Sequence, residues 1–214
     1  MKSVLIIGLG RFGRHMAEKL IEEGNAVLAI DKSEERADNA VSIINDIQIA
    51  DATDEAFIKS LGVNNFDLCV VAIGDNFQSA LEITVLLKDF GAKFILARAS
   101  REVHRKLLLR NGADHVVYAE REMAERLAIK YGGKNLFDYI ELSEDTAIFE
   151  IAIPDGWAGK TIIQKSVRNK YNMSILATKK DGVIYPNPSP DHIFDRNERL
   201  MVMANSKDIE RLIH

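Results

Sequence analysis

The 214-residue sequence predicts an α/β protein in which a doubly wound parallel sheet is followed by a second, smaller α+β module. Three observations carry this prediction. Six short apolar runs alternate with five helical segments over the first 118 residues, the rhythm of strands that reach parallel neighbours through helical crossovers. The first run enters Gly8-Leu9-Gly10-Arg11-Phe12-Gly13 and the second ends on Asp31, giving the order strand, glycine turn, helix, strand and acid of a Rossmann-like nucleotide fingerprint. The composition then changes: ten of the thirteen glycines precede residue 134, whereas all four prolines follow residue 150. A boundary near 134 is expected, with a nucleotide-binding domain and its connector helix over 1–134 and the module over 135–214.

Ser3 to Ile7 reads as a strand buried on both faces. Gly8 permits the tight turn, Gly10 lets a phosphate approach the backbone and Gly13 lets the helix pack on the strand, so an anion would meet the helix N-terminus. That helix runs to Glu23, Gly24 caps it, and Ala26 to Ile30 forms the second strand. Ser33 caps a helix reaching Ser42, and Asp46 to Ala50 contains the third strand. Asp54 caps a helix that ends at Leu61 before Gly62. Leu68 to Ile73 is continuously apolar, as a central parallel strand should be, and a helix from Phe77 to Phe90 stops at Gly91. A strand at Phe94 to Ala97, a helix from about Arg101 to Arg110 and a strand around His115 to Tyr118 complete the sheet. Residues 121–131 place Ala124, Leu127, Ala128 and Tyr131 at helical spacing before Gly132-Gly133. This stripe follows the last strand, so it has no sheet of its own to cover, and a second copy of the chain is the expected surface. The module reads as strands at Tyr139 to Leu142 and Thr146 to Ile153, a helix at Thr161 to Val167, strands at Ser174 to Lys179, Val183 to Tyr185 and Leu200 to Met203, and a final helix at Lys207 to Ile213.

In a doubly wound sheet the ligand crevice lies beyond the carboxyl ends of the strands. Asp31 stands there in the position where an acid accepts hydrogen bonds from ribose hydroxyls and repels a 2′-phosphate, with Lys32 beside it. Asp51 and Ala52 follow the third strand, Ile73, Gly74 and Asn76 the fourth, and Arg98 the fifth. Asp51 and Asn76 are equally suited to capping, while Ser33 and Asp54 read as caps alone.

Composition narrows the function. Net charge is −4, with 18 basic against 20 acidic residues over 1–134 and 10 against 12 over 135–214, so no basic face for nucleic acid is present. The single cysteine, Cys69, lies inside an apolar run and reads as a buried free thiol, which fits a reducing cytoplasm. No apolar run approaches the ~18 residues needed to cross a bilayer, so direct membrane insertion is not expected. A dehydrogenase would need an acid–base group facing its nicotinamide, and the second domain offers only His192 in a proline-rich loop and His214. His15, His104 and His115 have no spaced partners, and no Tyr-x-x-x-Lys pair, metal-ligand cluster or Ser/His/Asp set appears. Gly159-Lys160-Thr161 matches the end of a P-loop but lacks the upstream glycine and strand, and reads as a helix start. The sequence therefore describes a nucleotide-binding protein without the residue set of an enzyme. An NAD(P)-dependent oxidoreductase is the alternative, and a transcriptional regulator is disfavoured by the missing basic patch.

The Gly-Leu-Gly-Arg-Phe-Gly turn, Asp31, Asp51-Ala52-Thr53, Ala72-Ile73-Gly74-x-Asn76, the run Ala-Asp-His-Val-Val-Tyr-Ala-Glu ending at Glu120, and the C-terminal module together resemble a known family over the whole chain. It is the cytosolic regulatory subunits of Trk/Ktr potassium uptake systems, the RCK proteins. The resemblance implies an N-domain that binds ATP or ADP, or else NAD/NADH. It also implies homodimers assembled into an octameric gating ring beneath a membrane potassium channel or transporter, hence a cytoplasmic protein peripheral to the membrane. By the same resemblance Gly8, Gly10 and Gly13 form the phosphate turn, Arg11 reaches phosphates, including those across a dimer interface, and Asp31 is the ribose acid. Glu120 corresponds to an acid that helps hold a cation near the phosphates at that interface, although Ala119 stands where many members carry proline. Arg11 and Glu120 favour ATP/ADP over NAD. In the module, Ile162, Ile163, Arg168 and Pro190 resemble positions that contact cyclic di-AMP in some members, and the two isoleucines equally suit core packing.

Overall fold

The computed structural model describes residues 1–132, 135–143 and 145–213, with side chains for all of these but 210, 211 and 213. Its first compact unit is Met1–Arg121, and the second begins at Glu122. In the first unit, β1 (Ser3–Ile7), β2 (Ala26–Asp31), β3 (Asp46–Ile49), β4 (Leu68–Val71), β5 (Ile95–Arg98) and β6 (His115–Val117) form one parallel sheet. The strand order is β3-β2-β1-β4-β5-β6, that of a dinucleotide-binding fold. β1 is the centre: Leu5 pairs in register with Leu28 on one side and Cys69 on the other.

Its side chains alternate between two apolar layers, as a strand's period of two requires. Leu5 and Ile7 join a cluster with Ile58, Ile83, Leu87 and Leu108, which belong to the helices α3 (Glu55–Ser60), α4 (Phe77–Asp89) and α5 (Glu102–Arg110). Val4 and Ile6 face Ala17 on α1 (Arg11–Glu22) and Ala40 and Ile44, which follow α2 (Glu34–Asp38). Both faces of the sheet are thus covered, which is why its central strands read as unbroken apolar runs. The expected stops are present: Gly24, Gly62 and Gly91 have φ of 80°, 61° and 81°. The expected caps are present too, with Ser33 Oγ accepting from Arg36 N–H and Asp54 from Ala56 N–H.

Two helices differ from expectation. α2 ends at Asp38 rather than Ser42, because Asp38 and Asn39 are poor helix formers; the chain continues in turns, with Ala40 N–H donating to Ala37 O. α6 (Ala119–Gly132) starts two residues early and takes Glu120 into its first turn. No residue of α6 is buried, and Leu127 and Tyr131 are 43% and 80% exposed. Gly133 and residue 134, where the helix break and the domain boundary were expected, lie outside the described residues.

The second unit carries an antiparallel sheet of β7 (Leu136–Ser143), β8 (Thr146–Ala152), β9 (Ser174–Lys180), β10 (Val183–Pro186) and β11 (Arg199–Asn205) in the order β10-β9-β11-β8-β7. Its core gathers Phe149, Trp157, Phe194, Leu200 and Val202. The helix expected at Thr161 to Val167 is two, α7 (Ile162–Lys165) and α8 (Val167–Tyr171), parted by Ser166 in the left-handed region at φ 49°. Thr161 opens α7 in a capping box with Gln164, which accounts for the P-loop-like triplet as a helix start. The last helix is α9 (Ser206–Ile213).

Candidate functional site

The glycine turn divides its labour among three residues. Gly8 takes φ +102° and donates its N–H to Ile30 O, tying the turn to the end of β2. A methyl group on Gly13 would overlap the carbonyl oxygen of Gly8, so this glycine brings α1 against the turn and does not line the crevice. A Cβ at Gly10 would meet nothing within 4 Å, so the protein itself gives no packing reason for a glycine there. The open space beside it fits a group bound from outside. Gly10 is also the N-cap of α1, with no side-chain cap and no acidic residue in the first turn, which leaves backbone N–H groups and the positive end of the helix toward the crevice.

Asp31 closes this arrangement from below. Its Oδ2 accepts from Leu9 N–H at 2.6 Å and its Oδ1 from Ser33 N–H at 2.9 Å, with the side chain only 4% exposed. The acid therefore braces the glycine turn as well as facing the crevice.

Two cavities open at the carboxyl ends of the strands. The first, of about 840 Å3, is lined by Gly8, Gly10, Arg11, Phe12, Ile73, Gly74, Arg98 and Glu120 among the expected residues, and by Arg14, His15, Arg36, Asn39 and Asp75. The second, of about 480 Å3, is lined by Asp31, Lys32, Asp51, Ala52, Ile73 and Asn76, together with apolar Ile7, Ile30 and Ile83. Gly8, Ile73, Arg36 and Asp75 border both, so the cavities are the two ends of one trough. One end gathers Arg11, Arg14 and Arg98, and the other sets Ile7, Ile30 and Ile83 beside the buried carboxylate of Asp31 and the polar side chains of Lys32, Asp51 and Asn76.

Individual residues carry structural duties as well. Asn76 accepts from Ser79 N–H as the N-cap of α4. Asp51 accepts from Thr53 N–H and Oγ1, which hold its carboxyl below the usual carboxylate range. Arg98 reaches across to Glu120 in a close ion pair and lies 5.6 Å from the centre of the Phe12 ring. A Cβ at Gly74 would come within 2.8 Å of its Nη1, so Gly74 makes room for this guanidinium. Glu120's own backbone N–H keeps that carboxyl below its ordinary value; burial opposes it, and Arg98 and Arg11 add to the lowering. Among the described residues, no three His, Cys, Asp or Glu side chains converge as a metal site. Nor is any described helix long and apolar enough to cross a membrane.

Sequence reasoning missed Arg14, His15, Arg36 and Asp75. The first two follow the glycine turn directly, so a basic run at the start of α1 was the available signal. Arg36 and Asp75 are 39 positions apart and meet only through the strand order.

In the second unit, Ile162, Ile163, Arg168 and Pro190 do come together, lining a cavity of about 450 Å3 with Met173, Ile175 and Pro188. The isoleucines divide: Ile162 packs against the core, whereas Ile163 is 62% exposed. Ile163 N–H donates to Pro190 O at 3.0 Å, fixing one wall of the cavity against the other.

Comparison with known proteins agrees with this two-part architecture. The TrkA-N domain family matches residues 4–119 and the TrkA-C domain family residues 147–214. The chain is 37% identical over 210 residues to Ktr system potassium uptake protein C of Bacillus subtilis, covering 98% of this chain and 95% of that protein. It is equally similar, 37% over 210 residues at the same coverage, to Ktr system potassium uptake protein A of that organism. Among solved structures, the GsuK channel bound to NAD superposes with a TM-score of 0.71 at 20% identity, covering all of this chain and 39% of the channel chain, and shares the fold. With both domains matched in order and relatives aligned along nearly their full length, the chain belongs to the TrkA-N/TrkA-C family that includes the Ktr system potassium uptake proteins.

Proposed function

We propose that this protein is a nucleotide-sensing regulatory subunit of a Ktr-type potassium uptake system, acting at the cytoplasmic face of the membrane through a channel or transporter partner. The observation that carries the reading is the polarity of the trough. A buried acid, Asp31, stands at one end beside apolar Ile7, Ile30 and Ile83, and Arg11, Arg14 and Arg98 stand at the other, with Gly8, Ile73, Arg36 and Asp75 bordering both. Asp31 suits ribose hydroxyls, the apolar walls suit an adenine, and the arginines with the first-turn N–H groups of α1 suit phosphates. The four guanidiniums less Glu120 and Asp75 leave a net charge of 4 − 2 = +2, which a dinucleotide's pyrophosphate would match and which ATP or ADP would exceed unless a cation joined Glu120. With Arg11 and Glu120 read as that phosphate and cation site, adenosine polyphosphates are the assigned ligands and NAD the alternative.

Glu120 would repel a polyphosphate unless a cation intervened. Since no described acid or histidine cluster accompanies it, such a cation would draw further ligands from the nucleotide and from a second copy of the chain. The open apolar face of α6 supports a homodimer, and the family resemblance supports closure of dimers into an octameric ring. Nucleotides would act by binding one ring arrangement more tightly than another, a difference of ~1–3 kcal/mol per site. In the second unit, the apolar cavity with Arg168 at its rim supports cyclic di-AMP as a second ligand. The relatives at 37% identity are named as potassium uptake proteins, which supports a sensor without turnover.

Calorimetry with ATP, ADP and NAD, combined with light scattering on the parent and Leu127→Glu, tests this reading. Saturable binding with ATP or ADP tighter than NAD, and a dimer or larger assembly that Leu127→Glu dissociates, are expected. A parent that is monomeric with nucleotide bound at micromolar concentration would contradict the ring.

A further inference from the structure

Arg36 occupies a position that neither the glycine fingerprint nor Asp31 accounts for. Its Nη1 lies 3.8 Å from Asp31 Oδ2, and its Nη2 donates to Asp75 Oδ2 at 3.1 Å. α2 follows β2 and Asp75 follows β4, the two strands on either side of β1, so the guanidinium spans the end of β1 above the glycine turn. It borders both ends of the trough. An acid after the second strand favours a free ribose 2′-hydroxyl, whereas an arginine near the same place accommodates a 2′-phosphate. This chain holds both. With Arg36 so close, the charge of Asp31 is partly offset, and Asp31 alone no longer accounts for rejection of a 2′-phosphate. The second acid, Asp75, engages the guanidinium's Nη2 and brings these three side chains to one net negative charge.

We propose that Arg36 is the specificity-determining residue of the ribose subsite, and that Asp75, by holding its guanidinium across the end of β1, keeps the site selective for nucleotides with a free 2′-hydroxyl. The proposal rests on the nucleotide reading given above. Asp75 is a positioning residue, acting only through Arg36. Its side chain is 67% exposed and Arg36's is 46% exposed, so replacing either leaves the buried core untouched.

The test is to measure the affinities of the full chain for ADP and 2′-phospho-ADP, which differ in that one group. The parent should prefer ADP. Asp75→Asn should narrow the preference by roughly 5- to 10-fold, the size of one partly screened charge interaction, chiefly by tightening 2′-phospho-ADP. Asp75→Glu should keep the parent's ratio. Arg36→Ala combined with Asp75→Asn should lose the gain, and raised salt should shrink it. A ratio in Asp75→Asn within twofold of the parent's, or a gain that survives removal of Arg36, overturns the proposal while leaving ADP binding intact. A parent that binds neither compound overturns it together with the nucleotide reading.

Discussion

Replacing Asp31 should do more than remove a ribose contact. The carboxylate accepts two backbone N–H bonds, from Leu9 at 2.6 Å and Ser33 at 2.9 Å, and each bond to an ionised acceptor is worth ~1.5–3 kcal/mol. Ser33 is half-buried and its N–H can turn to water, but Leu9 is 1% exposed and its N–H would be left without a partner. Asp31→Ala should therefore cost about 3–5 kcal/mol of stability before any nucleotide is added. At ~2–4 °C per kcal/mol for a chain of this size, the melting temperature should fall by about 6–20 °C. Asp31→Asn keeps one acceptor oxygen and should lose roughly half as much. Circular dichroism melts of parent, Asn and Ala chains, without nucleotide and then with saturating ADP, separate the two duties. The parent should gain stability from ADP by mass action, while Asp31→Asn, still folded, should gain much less. An Asp31→Ala chain that melts within about 2 °C of the parent would refute the bracing role of the acid.

Three further outcomes are expected. Gly13→Ala places a methyl group on the Gly8 carbonyl and should lower the urea midpoint by an amount equivalent to about 1–3 kcal/mol, while Gly10→Ala, with open space beside it, should spare stability and weaken phosphate binding; equal effects at the two sites would count against the division of labour. Glu150 is pushed up by burial but pulled further down by Arg199 and Lys179, so its folded-state pKa lies below the ordinary 4.5. Its stabilisation is then present above about pH 4.5 and lost as pH falls through the folded-state value, so the gap in melting temperature between parent and Glu150→Gln should close on acidification, and a gap that stays constant from pH 6 to 3 would exclude it. The Cys69 thiol is buried and pushed up to about 12, so iodoacetamide at pH 8 should label it only on unfolding; rapid labelling of the native chain would show that β4 is open to solvent.

What the sequence disclosed follows from range. The parallel strands were legible because burial on both faces forces continuous apolar runs, and the stops after α1, α3 and α4 because Gly24, Gly62 and Gly91 need positive φ. The end of α2 was not, since Ala37, Ala40 and Ile44 keep a helix-like spacing through turns. The break between α7 and α8 was hidden because Ser166, a non-glycine residue, takes the left-handed conformation there. Within the trough, Asp31 and the glycines were legible because their spacing along the chain is fixed. Asn76 and Asp51 kept an ambiguity that the fold explains: each makes a local turn or cap and also faces the cavity. The pairing of Arg98 with Glu120 and of Arg36 with Asp75 depends on which strands become neighbours, and no local pattern carries that.

The pairing of Arg98 with Glu120 also gives the trough leverage. Glu120 lies in the first turn of α6, whose fourteen residues from Ala119 to Gly132 extend about 20 Å at 1.5 Å per residue. A phosphate that draws Arg98 off Glu120 changes the anchorage of that rod at one end. By simple geometry a tilt of about 10° there carries the far end of such a rod through about 3.5 Å. An exchange of one ion pair no larger than a hydrogen bond would thus be delivered at Gly132 as a displacement wider than a methyl group.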